Sequence, residues 1–271
     1  MNPILKYPGA KWRIAPWILS FFPPHESYLE PYFGSGGVFF NKAPCRIETI
    51  NDLDGEIVNF FQVCREYPGE LADALYLTPW SRDERDAAYE PAGDELERAR
   101  RFCVRCWQTF GAFPHKSNGW RNTTGRRLNG GPDNPKLWSR LPAIVCEAAD
   151  RLLEVQIENR PALDVIQRHN GPEVLIYAGP PYIRSTRNTS YDAYNYEMTD
   201  ADHEKLLQVL LKHEGMVLLS GYDNDLYNDI LRGWRKESSV TTAECGVSRT
   251  ECLWLNPAID ESLSQQTRLD A

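Results

Sequence analysis

The sequence lacks any long apolar run. No uninterrupted stretch approaches the roughly 18 apolar residues that argue for a membrane-spanning helix. The first residues also lack the apolar stretch of a secretory signal, because Pro3, Lys6, Pro8 and Lys11 interrupt it. We therefore expect a soluble, cytoplasmic protein. Its 42% hydrophobic and 25% charged residues are typical of a globular chain that buries a core.

The sequence also lacks a paired set of cysteines. Its seven cysteines are an odd number scattered along the chain, unlike the framework of a small secreted domain. Cys103 and Cys106 form one Cys-x-x-Cys pair, but there is no second such pair and no nearby histidine spaced for zinc. We expect free thiols with a structural role, and no metal site.

Positive charge is scarce in the chain as a whole. Its net charge of −8 excludes a protein that coats nucleic acid indiscriminately, because phosphate binding needs concentrated Lys and Arg. One segment differs from the rest. Residues 115–140, here called the basic island, hold six basic residues against the single acid Asp133, a local charge of +5.

Three zones of the chain differ in their residue pattern. Residues 1–63 alternate strand and helix patterns, residues 64–150 are mainly helical and end in a Gly/Asn/Arg-rich excursion, and residues 151–271 alternate again. We predict an α/β core whose two halves are separated by a helical, basic insertion. Strand patterns lie at 28–30, 47–50, 174–177, 216–220 and 252–255. Helix patterns open at 38 and lie at 56–64, 71–77, 95–110 and 202–213.

A glycine-rich turn follows the first strand pattern. The segment Gly34-Ser35-Gly36-Gly37 lets the backbone approach a ligand, and the first N–H groups of a following helix then face that ligand. Asp52 ends the next strand pattern, where an acid can hold the two hydroxyls of a ribose. Together they indicate a nucleoside-bearing cofactor, whereas the glycine turn alone is about as often a simple tight turn.

The segment Gly179-Pro180-Pro181-Tyr182 follows a buried strand pattern, at the kind of position where open α/β sheets bind ligands. Proline has no N–H, so two consecutive prolines fix a bend and leave the neighbouring carbonyls exposed. Tyr182 offers a flat face on which a base can stack. Taken alone, the segment is equally compatible with an ordinary turn.

In combination and in this order, these elements resemble the Dam-type (D12 class) adenine-N6-specific DNA methyltransferases over almost the whole chain. The resemblance implies an α/β, Rossmann-like S-adenosylmethionine-dependent methyltransferase core with an inserted helical, basic DNA-recognition subdomain. The domains are then 1–63 for the cofactor-binding half, 64–150 for target recognition and 151–271 for the catalytic half. The matching segments are Lys6-Tyr7-Pro8-Gly9-Ala10-Lys11, Glu30-Pro31-Tyr32-Phe33-Gly34-Ser35-Gly36-Gly37-Val38-Phe39, Asn51-Asp52, Pro180-Pro181-Tyr182 and Arg249-Thr250-Glu251-Cys252-Leu253-Trp254-Leu255-Asn256-Pro257.

The resemblance also implies a role for each matched residue. Tyr7 and Lys11 contact the methionine end of S-adenosylmethionine, with the Lys11 ammonium suited to its carboxylate. Asp52 takes the ribose hydroxyls. Asp164 is a candidate for the adenine amine of the cofactor, with a helix cap as its alternative. The other cofactor candidates line the same pocket: Glu30, Phe33, Gly34, Gly36 and Gly179.

The catalytic turn departs from the family pattern at one position. The family has Asp-Pro-Pro-Tyr, where the Asp and a proline carbonyl accept hydrogen bonds from the target amine, but here the Asp is Gly179. Only the backbone carbonyl of Gly179-Pro180-Pro181-Tyr182 then remains as acceptor, while Tyr182 can still stack the extruded base. We therefore expect an enzyme weakened or inactive in transfer. The alternatives are a naturally inactive homologue that binds DNA and cofactor, and a methyltransferase of RNA or another amine.

The resemblance assigns the reading of double-stranded DNA to the basic island, for which the alternative is a solvated loop. The candidate DNA-binding residues are Lys116, Arg121, Arg126 and Arg127, and the candidate wedging or stacking residues are Phe110, Phe113 and Trp120. We expect His203, at a helix start, to be structural. We expect a monomer, because nothing in the sequence resembles a coiled coil or a long exposed apolar stripe. The resemblance further implies a location in the cytoplasm of a bacterium or a phage-infected host, as part of a restriction-modification system or a phage, or as a solitary regulator.

Overall fold

The computed structural model describes residues 1–112, 114–122, 133–187, 194–242 and 248–269. Its strands are β1 (Ser27–Glu30), β2 (Ile47–Asn51), β3 (Val155–Glu158), β4 (Val174–Ala178), β5 (Met216–Tyr222), β6 (Arg235–Thr242) and β7 (Ser248–Leu255). Its helices are α1 (Ala15–Leu19), α2 (Gly55–Glu66), α3 (Pro68–Leu77), α4 (Arg82–Ala87), α5 (Glu95–Gln108), α6 (Asn134–Trp138), α7 (Leu141–Leu152), α8 (Ala162–Arg168), α9 (Asp200–Leu210), α10 (Asp225–Ile230) and α11 (Pro257–Leu269).

The strands form one sheet in the order β3-β2-β1-β4-β5-β7-β6. Strands β1 to β5 run parallel, and β7 pairs antiparallel with both β5 and β6. The strand order reverses where β1 pairs with β4, with Ser27 opposite Val174. In open α/β sheets such a reversal leaves a crevice outside the carboxyl ends of the strands, and ligands bind there.

Both faces of the sheet are covered by helices, because side chains alternate between the faces along each strand. Tyr28 and Leu218 belong to a hydrophobic cluster with residues of α1, α2, α3, α5, α7 and α11. Their strand neighbours Leu29 and Leu219 belong to a second cluster with residues of α8, α9 and α10. The predicted α/β class is confirmed as a three-layer arrangement, with the ends of β1 and β4 between the layers.

Several helices, including α2 and α9, begin at side chains that bind their first backbone N–H groups. Asp54 caps α2, and its Oδ1 accepts the N–H of Glu56 at 3.0 Å. Thr199 and Asp202 form a reciprocal capping box at the start of α9. The cap at Asp54 places α2 immediately after the loop that carries Asp52, so the start of this helix lies beside the crevice.

Helices of the middle zone pack directly on the core. Residues of α3, α5 and α7 share one hydrophobic cluster with α2 and with the sheet. The interfaces α2 with α5, α3 with α7 and α2 with α7 are extensive. The predicted boundaries after residues 63 and 150 fall inside α2 (Gly55–Glu66) and α7 (Leu141–Leu152). The division into two halves and a recognition region therefore remains a proposal about function.

The structure corrects one predicted element and adds others. The helix predicted to open at Val38 is wrong, because only a single 3-10 turn, Phe39–Asn41, follows the glycine-rich turn. The helix N-terminus that would have faced a ligand there is thus missing. Strands β3 and β6 were not predicted. The other predicted strands and helices are present, with ends shifted by a few residues.

Within the described ranges, no helix is long and apolar enough to cross a membrane. The same residues contain no group of three or more His, Cys, Asp or Glu side chains placed to hold a metal ion. Cys103 and Cys106 are both fully buried free thiols in α5. Burial raises the pKa of both thiols, so they pack as small apolar side chains.

Candidate functional site

A cavity of about 270 Å³ lies where β1 and β4 end, at the reversal of the strand order. Segments far apart in the sequence meet around it. They are the N-terminal segment at 7–11, the ends of β1 and β2, the start of α8, the turn after β4 and the segment at 194–198. The position matches the ligand crevice expected of this sheet.

Most of the predicted catalytic and cofactor-binding residues line the cavity. The predicted residues that line it are Tyr7, Lys11, Glu30, Phe33, Gly34, Asp52, Gly179, Pro180, Pro181 and Tyr182. Two predicted cofactor residues, Gly36 and Asp164, are not part of its wall. The structure thus brings the N-terminal motif, the glycine turn and the proline turn to one place.

Asp164 does not line the cavity. Helix α8 begins at Ala162, so Pro161, Ala162 and Leu163 form the cavity wall, while Asp164 is exposed in the first turn of the helix. Its predicted alternative as a helix cap is wrong, because the N-cap position is Pro161. The part of the cavity wall that this helix start supplies is therefore apolar.

The glycine turn is built by positive backbone angles. Gly34 has φ +53°, and its N–H donates to Asp52 Oδ2 at 2.8 Å. Gly36 has φ +67°, and a β-carbon there would lie 2.5 Å from the ring of Phe33 and 2.7 Å from that of Phe40. A side chain larger than glycine at position 36 would therefore collide with these two rings.

Asn51 and Asp52 fix the edge of the cavity in different ways. The Asn51 amide donates to Pro31 O at 2.9 Å and to Arg160 O at 3.1 Å, which ties the end of β2 to the ends of β1 and β3. Asp52 accepts the N–H groups of Gly34 and, at 2.9 Å, of Asp54. Burial nevertheless raises the pKa of Asp52 to about 6. A carboxylate so placed has lone pairs left for ligand hydroxyls.

Glu30 and Tyr7 present buried polar groups to the cavity. Glu30 is 2% exposed and accepts the Tyr28 hydroxyl at 2.6 Å. Burial raises its pKa to about 8, so Glu30 carries a proton at neutral pH. Burial likewise raises the pKa of Tyr7 well above its usual value, so its phenol is neutral. The wall beside the glycine turn is therefore less acidic than its sequence indicates.

Lys11, Tyr182 and Glu251 meet at the other end of the cavity. The Lys11 ammonium lies 4.4 Å from the centre of the Tyr182 ring and 3.5 Å from Glu251 Oε1. The Tyr182 hydroxyl donates to the same carboxylate oxygen. Tyr222, which pairs with Glu251 across β5 and β7, packs edge-on against Tyr182 at 4.6 Å between ring centres. Tyr182 is thus fixed by the hydrogen bond of its hydroxyl and by the packing of its ring.

Gly179 stands directly beside buried hydroxyl groups. A β-carbon at this position would lie 3.3 Å from Ser220 Oγ and 3.5 Å from the Tyr177 hydroxyl oxygen. Those two hydroxyls are themselves 3.0 Å apart. An aspartate at 179 would therefore meet a rotatable hydroxyl rather than backbone, and a small movement of Ser220 accommodates it.

The described part of the basic island is folded onto the core. A bridge between Thr109 and Trp120 closes the segment, and Phe110 is 68% exposed next to that bridge. Lys116 is exposed and its carbonyl accepts the Tyr89 hydroxyl at 2.8 Å. Arg121 donates to Thr109 O at 3.2 Å. Phe113, Arg126 and Arg127 lie outside the described residues.

The buried polar residues beside the cavity are not predicted from the sequence. Tyr177 and Ser220 fit ordinary strand patterns, and Glu251 belongs to a matching segment for which the resemblance gives it no role. The available signal was Glu251 itself, since an acid inside an otherwise apolar strand must find a partner when that strand is buried. His203 is structural, as predicted: it is fully buried and its Nδ1 lies 2.8 Å from the Tyr227 hydroxyl.

A sheet with this reversal and a cavity at the reversal point define a Rossmann-like methyltransferase core. The family model for the D12 class N6 adenine-specific DNA methyltransferases matches residues 7–108 and 116–243, and the chain belongs to this family. It is also similar to the Type II methyltransferase M1.LlaDCHI of Lactococcus lactis subsp. cremoris. The two are 22% identical over 210 residues, which cover 73% of this chain and 71% of the relative.

Proposed function

We propose that this chain transfers a methyl group from S-adenosylmethionine to the N6 amino group of adenine in double-stranded DNA, in a form weakened by Gly179. The observation that carries the proposal is the shared cavity. Both the residues suited to a nucleoside cofactor and the Gly-Pro-Pro-Tyr turn line this cavity, in a chain that belongs to an adenine-specific family.

The residues around the cavity fit S-adenosylmethionine. Asp52 offers a carboxylate to the ribose hydroxyls, and Leu163 with the neighbouring apolar wall suits the adenine ring. Lys11 offers an ammonium group to the cofactor carboxylate. When bound, the cofactor supplies an electrophilic methyl group on a sulfonium. The protein's own part is to hold the acceptor amine in line with that methyl group.

The target base is assigned to the face of Tyr182. This face is covered by the Lys11 ammonium at 4.4 Å, so a base can stack there only after Lys11 has moved. A cofactor carboxylate gives Lys11 another partner. The arrangement supports binding of the cofactor before the extruded base.

The target amine needs acceptors because positive charge develops on its nitrogen as the methyl group arrives. The turn at Pro180 and Pro181 supplies backbone carbonyls, but Gly179 supplies no side chain. We assign DNA contacts to Lys116 and Arg121 and to Arg126 and Arg127 of the same island. This assignment is supported by the local charge of +5 and by the exposed aromatic ring of Phe110 beside the bridge.

The proposal is tested by transfer of a labelled methyl group to unmethylated duplex DNA, with parent, Gly179→Asp and Asp52→Ala proteins side by side. We expect transfer with the first two and its loss with the third. Gly179 also favours a second function, a protein that binds DNA and cofactor without transfer. That function is the better account if Gly179→Asp binds both ligands and transfers nothing. Transfer to RNA but not to duplex DNA would instead show that the substrate is RNA.

A further inference from the structure

Four buried polar side chains lie in a row behind Gly179. Tyr177, Ser220, Tyr182 and Glu251 are all at most 7% exposed. The hydroxyl oxygens of Tyr177 and Ser220 are 3.0 Å apart. The Ser220 hydroxyl also lies near enough to that of Tyr182 to oppose the rise in its pKa that burial causes. Tyr182 in turn donates to Glu251. We call these four residues the hydroxyl chain. It leads from the cavity wall to a buried carboxylate.

The carboxylate fixes the direction of the hydrogen bonds. A carboxylate only accepts, so Tyr182 donates its single hydroxyl hydrogen to Glu251. Ser220 must then donate to Tyr182, and Tyr177 to Ser220. Hydrogen bonds aligned in this way polarise one another. The oxygen of Tyr177 therefore gains basicity and keeps lone pairs available to a donor in the cavity.

The Tyr177 end of the hydroxyl chain lies beside position 179, where the family's Asp side chain is missing. A β-carbon at Gly179 would lie 3.5 Å from the Tyr177 hydroxyl oxygen. Tyr177 and Gly179 both line the cavity. A donor that reaches toward position 179 thus meets the end of the hydroxyl chain where the family pattern has a carboxylate.

We propose that the hydroxyl chain replaces the missing carboxylate, with Tyr177 as the catalytic acceptor of a hydrogen bond from the target amine and Glu251 as the final acceptor of its proton. This inference rests on the proposed methyl transfer. Ser220 and Glu251 act through Tyr177 and are positioning residues.

The proposed step conserves atoms and charge. The lone pair of the amine nitrogen forms the new N–CH₃ bond while the S–CH₃ bond breaks, and its electron pair stays on sulfur as a neutral thioether. The positively charged nitrogen then gives one proton to Tyr177. The protons of Tyr177, Ser220 and Tyr182 each move one place along, and Glu251 ends as a neutral carboxylic acid. Burial raises the pKa of both tyrosines well above the usual value, so the phenols stay protonated until this shift.

Continuity of the chain can be tested without ligands. In protein labelled at the tyrosine ζ-carbon, Glu251→Gln is expected to shift the NMR signals of both Tyr182 and Tyr177, assigned with single Phe variants. In the Ser220→Ala background, Glu251→Gln should shift Tyr182 alone. The signal of Tyr76, which is 76% exposed, is the control and stays in place. A Tyr177 signal that ignores Glu251→Gln overturns the proposal.

The catalytic role is tested by comparing two backgrounds on the same unmethylated duplex DNA. In the parent, Tyr177→Phe and Ser220→Ala are expected to lower the single-turnover methylation rate at least tenfold. In the Gly179→Asp background the same changes should lower it less than threefold, because the new carboxylate takes the amine. Thr49→Val is the matched control, since it removes a buried hydroxyl that lies 3.2 Å from His169, outside the cavity wall. Its effect should be equal in both backgrounds.

The outcomes separate this proposal from the proposed function. Equal losses in both backgrounds show that the hydroxyls only support the fold, and they overturn the proposal. Transfer by Gly179→Asp together with an inert parent also overturns it, while the proposed function stands. If neither the parent nor Gly179→Asp transfers a methyl group although both bind S-adenosylhomocysteine, this proposal and the proposed function are both wrong.

Discussion

His115 Nε2 lies 2.6 Å from Asp54 Oδ2, so the segment that opens the basic island touches the wall of the cofactor cavity. Asp54 also caps α2 and follows Asp52 by two residues. The pair is mostly buried, with side-chain exposures of 19% for His115 and 4% for Asp54. The proposed DNA-binding island and the proposed cofactor cavity are therefore in direct contact through this pair.

We expect His115→Ala to weaken the coupling between the two ligands more than the binding of either. Duplex DNA affinity should rise with S-adenosylhomocysteine in the parent, and this rise should shrink several-fold in the variant. Calorimetry with each ligand alone and in the presence of the other measures it. Arg46→Ala, at a well-exposed ion pair with Glu26, is the control. A coupling that is unchanged in His115→Ala would show that the contact is only structural.

Gly179→Asp should act on the chemical step. A carboxylate acceptor strengthens as charge develops on the amine, so its value lies mainly in the transition state. We expect a rise of at least about a hundredfold in the single-turnover rate, which is about 2.7 kcal/mol or more, with DNA affinity changed less than about tenfold. Rapid-quench methylation and DNA titration measure the two quantities. A rise confined to DNA affinity would contradict this.

Cofactor affinity should depend on pH through Asp52. Burial raises its pKa to about 6, and the ionised form is the better acceptor for ribose hydroxyls. We expect affinity for S-adenosylhomocysteine to be level above about pH 7 and to fall up to about tenfold per unit below pH 6. Asp52→Asn should bind weakly and lose this dependence. Because the raised pKa means that the folded protein holds this proton more tightly than the unfolded chain, protonation of Asp52 does not itself destabilise the fold. A parent curve that stays flat to pH 5 would exclude Asp52 as the ribose ligand.

The basic island should supply the salt dependence of DNA binding. Alanine at Arg121, Arg126 and Arg127 together is expected to weaken duplex binding and to lower the salt slope by up to about one unit for each phosphate that is no longer neutralised. Cofactor affinity should hardly change. Among single variants, Lys116→Ala reports the loss of charge more directly than Arg121→Ala, because Arg121 also donates a hydrogen bond to the Thr109 carbonyl. Unchanged DNA affinity in the triple variant would identify the island as a solvated loop.

Local motifs made much of this site predictable. Gly34, Pro180 and Asp52 stand beside strong strand patterns, and the ends of parallel strands meet at one edge of a sheet. Strand β6 (Arg235–Thr242) was missed because its polar sequence lacks the alternation of a half-buried strand. Strand β3 (Val155–Glu158) is only four residues long and partly exposed.

The hydroxyl chain could not be predicted from the sequence for a different reason. Ser220 and Glu251 come together only because β7 pairs antiparallel with β5, and pairing partners cannot be read from either strand alone. The position of Asp164 outside the cavity wall could not be predicted either, because the start of α8 decides which side chain faces the cavity. Helix ends are the least certain part of a sequence pattern.

The pairing of β1 with β4 also determines at which stage of protein synthesis the ligand site can form. Its partners Ser27 and Val174 are 147 residues apart in the sequence, and the cavity spans the ends of both strands. On the ribosome, the glycine turn and Asp52 emerge long before Gly179 and Tyr182. A growing chain therefore has no complete ligand pocket until β4 has left the exit tunnel, and during synthesis a bound cofactor cannot stabilise the first half of the protein.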